Sequence, residues 1–198
     1  MTPLQTMSGR VYDAMARWAS TRSAEVTLCV WAFLEAIVWV ILPDFLLIPL
    51  SMLKPSHARR FWLVAAVASM LGSITLWVLS THWSATVGQW LFQLPFTPPA
   101  MAQRILQTGL DHGVLITLTQ PVSGMPAKVW TWTAATQLHW SPVGYLGLLT
   151  LARSIRMGLC VAMGAWLGRR VPTFLRQWWL PLLIAGSGGI LWFLTASS

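Results

Sequence analysis

Glu35, Asp44, Lys128, Arg153 and Arg156 each sit in a stretch otherwise apolar enough for hydrocarbon. A charge at the centre of a bilayer costs about 2.5–3.5 kcal/mol even on the lenient insertion scale, so such residues pair with one another or serve transport. Carboxylates from one segment could neutralise cations from another. Three cations against two acids leave a surplus, for which an anionic phosphate is a natural counter-ion. Carboxyls buried beside arginines are also tunable proton carriers, because burial and a neighbouring cation act on their protonation in opposite directions. The expectation is that Lys128, Arg153 and Arg156 bind a lipid phosphate while Glu35 and Asp44 gate or couple movement through protons. The competing expectation is structural, with the acids doing no more than neutralising buried cations.

Such a site needs backbone that breaks inside the membrane and brings distant segments together. Residues 26–53 are apolar over more than the roughly 20 residues of one span, and they are interrupted by Glu35, Pro43, Asp44 and Pro49. That pattern predicts a segment that enters, breaks and turns back. Residues 110–135 repeat it with Pro121, Gly124, Pro126 and Lys128. Full spans are expected at 61–80, at 143–167 carrying Arg153 and Arg156, and at 178–196. In the first of these, Ala65, Ser69 and Gly72 form a small-residue face for close helix approach. Residues 1–25 read as a basic helix lying on the membrane surface, with Val11, Met15 and Trp18 on one face. Between the spans lies a looser stretch with Pro95, Pro98 and Pro99, then a short amphipathic piece whose Arg104 snorkels to the interface.

Composition fits an integral membrane protein. Only 9% of the 198 residues are charged and 56% are hydrophobic, with a mean hydropathy of +0.61, whereas soluble domains are about 25% charged. The net charge of +8 is explained by basic residues held on one side of a membrane rather than by nucleic acid. If both broken segments return to the face they entered, then Arg10, Arg17, Arg22, Lys54, Arg59, Arg60, Arg169, Arg170 and Arg176 share one compartment, the cytoplasm, as does the N-terminus. His57, His82, His112 and His139 lack ligand spacing, so no metal and no cofactor is expected. Cys29 and Cys160 read as buried small side chains, and Trp62, Trp83, Trp140, Trp178 and Trp179 as interface anchors. The first apolar run is too long for a cleaved signal.

The resulting expectation is an all-α, polytopic integral membrane protein. It has two re-entrant broken-helix segments in an inverted-repeat arrangement, a common transporter design, and about three full transmembrane helices. Residues 1–25 form the N-terminal segment, 26–176 the membrane domain and 177–198 a C-terminal helix.

The stretch Phe33–Trp77, with Glu35, Pro43-Asp44, LLIPL at 46–50 and ASMLGS at 68–73, resembles the first half of the DedA family, also called the VTT or SNARE-associated Golgi protein domain. GMPAKVWTWTAA at 124–135 is similar to the proline-lysine-aromatic motif of its short bacterial branch, and a basic pair on the next helix corresponds to Arg153 and Arg156. Val40 and Leu42 stand where that branch carries prolines, and Gly124 and Ala127 where it carries a proline and an aromatic. The resemblance, over roughly residues 30–170, implies a protein with two re-entrant segments that moves lipids between leaflets. Bacterial members are linked to undecaprenyl phosphate recycling or phosphatidylethanolamine translocation, with proton coupling, and eukaryotic relatives behave as scramblases. The expected function is a non-enzymatic flippase or scramblase of the inner, plasma membrane, its partners being lipids with an anionic head group or a polyprenyl phosphate, and protons. The alternatives are a non-catalytic membrane organiser and, behind it, a lipid phosphatase or transferase. The last would need an acid-bound metal or a paired histidine.

Overall fold

The structure, a computed structural model, describes residues 3–179 and 181. Its architecture follows from a break at residues 38–43. Helix α2 (Arg22–Ile37) buries Ala24, Leu28, Ala32 and Ala36 along one stripe and stops at Val38, whose N–H closes the last turn on Leu34. Pro43 has no N–H to donate and steers its predecessor out of the helical region. Helix α3 (Asp44–Leu53) starts directly after it, with Asp44 in the first turn, where a carboxylate suits the helix dipole. Of the residues expected to interrupt this segment, Pro49 does not, because it lies within α3 and only forgoes one backbone bond.

A 3₁₀ turn (Pro55–His57) leads into α4 (Ala58–His82), and α5 (Ser84–Leu91) and α6 (Pro99–His112) follow. A 3₁₀ stretch (Val114–Val122), a tight turn and α7 (Ala127–Thr136) precede the long α8 (Pro142–Arg170). Helix α1 (Pro3–Trp18) stands before them, and residues 172–179 are helical after them. No strand occurs among the described residues.

Contacts between named residues give the directions of these elements. Glu25 pairs with Arg60 at 2.7 Å, and Gly72 lies against Phe33 and Ala36, so α2 and α4 run parallel. A Cβ on Gly72 would stand 2.5 Å from the Phe33 carbonyl oxygen, so of the small face expected at Ala65, Ser69 and Gly72 it is Gly72 that meets α2, whereas Ser69 lines a gap with Thr150, Arg153 and Ser154 of α8. In the chain, helix α3 must therefore run back from the end of α2 to the start of α4, and it does so alongside α8. Asp44 meets Arg156, and a Cβ on Gly164 would lie 2.9 Å from the Ile48 carbonyl oxygen. Helix α8 is antiparallel to α4, since the Trp62 indole donates to the Ser154 carbonyl at 2.9 Å while Trp77 stacks near Tyr145 at 5.3 Å.

The second broken segment is a mirror of the first. Gly109 of α6 packs on Leu138 and Trp140, so the 3₁₀ stretch leaves the end of the molecule to which α7 returns. Trp132 of α7 donates to the Ser84 carbonyl at 3.1 Å, fixing that end beside the C-terminus of α4. The two hairpins thus point at each other from opposite ends, tip to tip.

Helix Pro55–His82, which includes the 3₁₀ turn, and helix Pro142–Arg170 are long and apolar enough to cross a membrane. The span expected at 178–196 lies almost wholly outside the described residues. Leu63, Val67, Leu71, Ile74 and Val78 on α4, and Leu151, Ile155, Leu159, Met163 and Trp166 on α8, are exposed at helical spacing. Apolar side chains therefore face outward as well as inward.

Other expectations are corrected. Val11, Met15 and Trp18 pack against the protein core instead of presenting a bare apolar face. Trp179 is buried, donates to Met15 Sδ at 3.1 Å and meets Tyr12 edge-on, and Trp62 bridges α4 to α8; both tie helices together. Trp83 and Trp178 are exposed. Cys29 is exposed and Cys160 half-buried, so neither is a core residue.

Candidate site where two broken helices meet

The last turn of α2 places Glu35 at 5% exposure, facing α8. Arg153, 4% exposed, pairs with it through both terminal nitrogens: Nη2 donates to Oε2, and Nη1 lies 3.5 Å from Oε1. One helical turn further along α8, Arg156 Nη1 donates to Asp44 Oδ2 at the start of α3. The i, i+3 spacing on one helix face lets a single helix hold a carboxylate from each side of the first break. Arg156 keeps 22% of its side chain exposed, so the second pair is the less enclosed.

Lys128 enters from the other hairpin, in the first turn of α7, at 3% exposure. Its Nζ donates to the Trp39 carbonyl at 2.6 Å. That carbonyl belongs to the break, where helical partners are missing, so the lysine satisfies a backbone group that the first hairpin cannot satisfy itself. Lys128 makes no ion pair among the described residues. Two carboxylates against three cations leave one positive charge over.

The second tip is closed on itself. The Gln120 side-chain amide donates to the Met125 carbonyl at 3.0 Å, and the Ser123 hydroxyl to the Gln120 carbonyl at 2.9 Å. Gly124 adopts φ +70°, a conformation that proline, fixed near −65°, cannot reach. The departure noted at this position is therefore a different way of turning the chain.

Between the tips lies a cavity of about 420 Å³, walled by Glu35, Lys128, Arg153 and Arg156, by Trp39, Val40 and Leu42 from the first tip, and by Pro121, Gly124, Pro126 and Ala127 from the second. Asp44 and Pro43 are not in its wall. Asp44 sits behind Arg156, against the Cys160 thiol, and Pro43 caps α3. All the expected cations are thus brought together with Glu35, whereas Asp44 acts on the cavity only through Arg156.

The sequence reading missed two contributors. Trp39 joins the tips through its carbonyl and is part of the cavity wall. The turn at Pro95, Phe96 and Thr97 forms another wall. There Phe96 takes φ +64°, uncommon for a bulky residue, and the buried Thr97 hydroxyl bonds the Leu91 carbonyl at 2.6 Å. The proline cluster 95–99 was the available signal. Above the site, Thr131 and the fully buried Tyr145 share a hydrogen bond of 3.1 Å. No group of three potential metal ligands is gathered among the described residues. What the arrangement offers is a half-enclosed, positively charged chamber suited to an anion.

The chain is 30% identical over 174 residues to an uncharacterized protein of Haemophilus influenzae, covering 85% of this chain and 86% of that one. It is 29% identical over 174 residues to an uncharacterized protein of Histophilus somni, covering 85% and 87%. No protein-family model and no solved structure matches it.

Proposed function

We propose that this chain, which belongs to the family of these uncharacterized Haemophilus influenzae and Histophilus somni proteins, is a multi-pass membrane protein that carries a lipid with an anionic head group from one leaflet to the other. The observation that carries this reading is the cavity where the hairpin tips meet, with Lys128 as the surplus cation in its wall. Non-helical backbone persists at membrane depth only when buried in protein or lining a wet cavity, and the two breaks meet that condition together.

The setting supports it. The exposed apolar stripes of α4 and α8 suit lipid as their solvent. Lys54, Arg59 and Arg60 lie at the same end as Arg22, because Glu25 pairs with Arg60, and Arg169 reaches the Pro55 carbonyl there. By the positive-inside rule that end is cytoplasmic, with the N-terminus, in a bacterial inner membrane. Each half runs as hairpin then long helix, in opposite senses, which is an inverted repeat with its site at the interface. The motif likeness to the DedA family points the same way. Lys128 and Arg156 engage the phosphate, and Glu35 and Asp44 release or recapture the arginines as they gain and lose protons.

Full-length protein reconstituted into vesicles should speed leaflet exchange of labelled phosphatidylglycerol or polyprenyl phosphate, and Lys128→Ala or Arg156→Ala should slow it. Unchanged exchange in both variants overturns the site assignment. A second reading, a membrane organiser in which the charges fix helix packing, is favoured by the fact that Arg153 and Arg156 each already hold a carboxylate. It requires Glu35→Gln to lower stability and leave exchange per folded molecule unaltered.

A further inference from the structure

The outer face of α2 carries a groove of about 430 Å³ between Val26, Thr27, Val30, Trp31, Leu34 and Trp39. The Thr27 hydroxyl is bonded back to the Ser23 carbonyl at 2.8 Å, so what the groove presents is hydrocarbon and aromatic ring. Trp31 donates to the Ile41 carbonyl at 3.0 Å and meets Trp39 edge-on at 6.0 Å, which anchors the upper end of the groove to the break. Trp39 also walls the charged cavity. One residue, Trp39, thus borders both an apolar trough and a chamber with a surplus positive charge. At 1.5 Å per residue the helical part of the trough, from Val26 to the end of α2 at Ile37, rises roughly 17 Å, about half of a hydrocarbon core about 30 Å thick. Because α2 lies parallel to α4, the trough runs in the direction of lipid chains.

We propose that this groove holds the hydrocarbon tail of the same lipid whose anionic head group enters the cavity, with Trp39 at the junction of the two subsites. The assignment rests on the lipid-moving reading for the head group. Continuity through Trp39 and the charge of the chamber favour such an amphiphile over the apolar face of another protein. It also fixes an orientation. The head lies at the Trp39 end and the chain terminus at the Val26 end, the reverse of an ordinary boundary lipid whose head rests at the basic end.

Phosphatidylglycerol carrying a diazirine on its terminal acyl carbon tests this in vesicles containing the full-length protein, with label mapped by mass spectrometry. Label at Val26 and Thr27 should exceed label at Leu34 by about tenfold, the ratio expected from one charge-assisted contact holding the head. Phosphatidylcholine bearing the same probe, and Lys128→Met with phosphatidylglycerol, should lose that excess. Stronger label at Leu34 than at Val26 with phosphatidylglycerol overturns the groove assignment, as does crosslinking of α2 to a second copy in place of lipid. Leaflet exchange measured in the same vesicles separates the two claims. Exchange with the wrong label order sinks the groove alone, and the right label order without exchange sinks the transport reading alone.

Discussion

Glu35→Gln keeps the size of the side chain and removes its charge. Arg153 is 4% exposed, its Nε already has no hydrogen-bond partner among the described residues, and both terminal nitrogens are directed at Glu35. The variant thus strands a guanidinium that is almost wholly buried and pairs with no second acid among the described residues. Breaking a buried pair by removing one partner costs about 3–5 kcal/mol, against a whole-protein stability of about 5–15 kcal/mol. The same change at Glu25 is the internal control. Its partner Arg60 is 61% exposed, and pairs of that kind are worth about 0–1 kcal/mol. Replacing both members, Glu35→Leu with Arg153→Met, should recover most of the loss, since apolar residues of similar volume often match a buried pair. Denaturant unfolding in mixed micelles, followed by circular dichroism and extrapolated linearly, gives all three values. A Glu35→Gln cost no greater than that of Glu25→Gln, or a double variant as unstable as the single, refutes the claim that Arg153 depends on this carboxylate.

Other outcomes follow from the same contacts. Gly72→Ala should cost about 1–3 kcal/mol as overpacking, because its methyl would meet the Phe33 carbonyl oxygen and the Ala36 Cβ at 2.5 and 2.8 Å; a neutral effect in the same assay contradicts the α2–α4 contact. Arg156→Ala should destabilise less than Arg153→Ala, since 22% of the Arg156 side chain and 11% of its partner's are exposed, and the reverse order argues against the relative burial of the two pairs.

Much of this site was legible because its elements are local. A Pro-Asp step inside an apolar run marks a helix break wherever it occurs, and the break at 38–43 follows. The Gly, Pro and Ser around Gly124 mark the second tip for the same reason. The pairings were not legible, because Glu35 and Arg153 lie 118 positions apart and either acid could have met either arginine; only the antiparallel course of α3 against α2 decides. Pro49 looks like a break in sequence but is none, because a proline inside a continuous helix withdraws a single backbone donor. Apolar sequence does not imply burial for Cys29, because here the apolar surface also faces outward. Trp62 and Trp179 sit near segment ends, where tryptophan favours an interface, yet their indole N–H groups found acceptors on neighbouring helices.

Single cysteines at Arg22, His57, Gly113 and His139, in a chain with Cys29 and Cys160 replaced, test most directly whether two hairpins dip into the bilayer from opposite faces. An impermeant thiol reagent applied to sealed vesicles should label positions 22 and 57 from one side, and 113 and 139 from the other. Labelling of 22 and 57 from opposite sides would make residues 26–53 a plain crossing, and the chamber between the tips could not form.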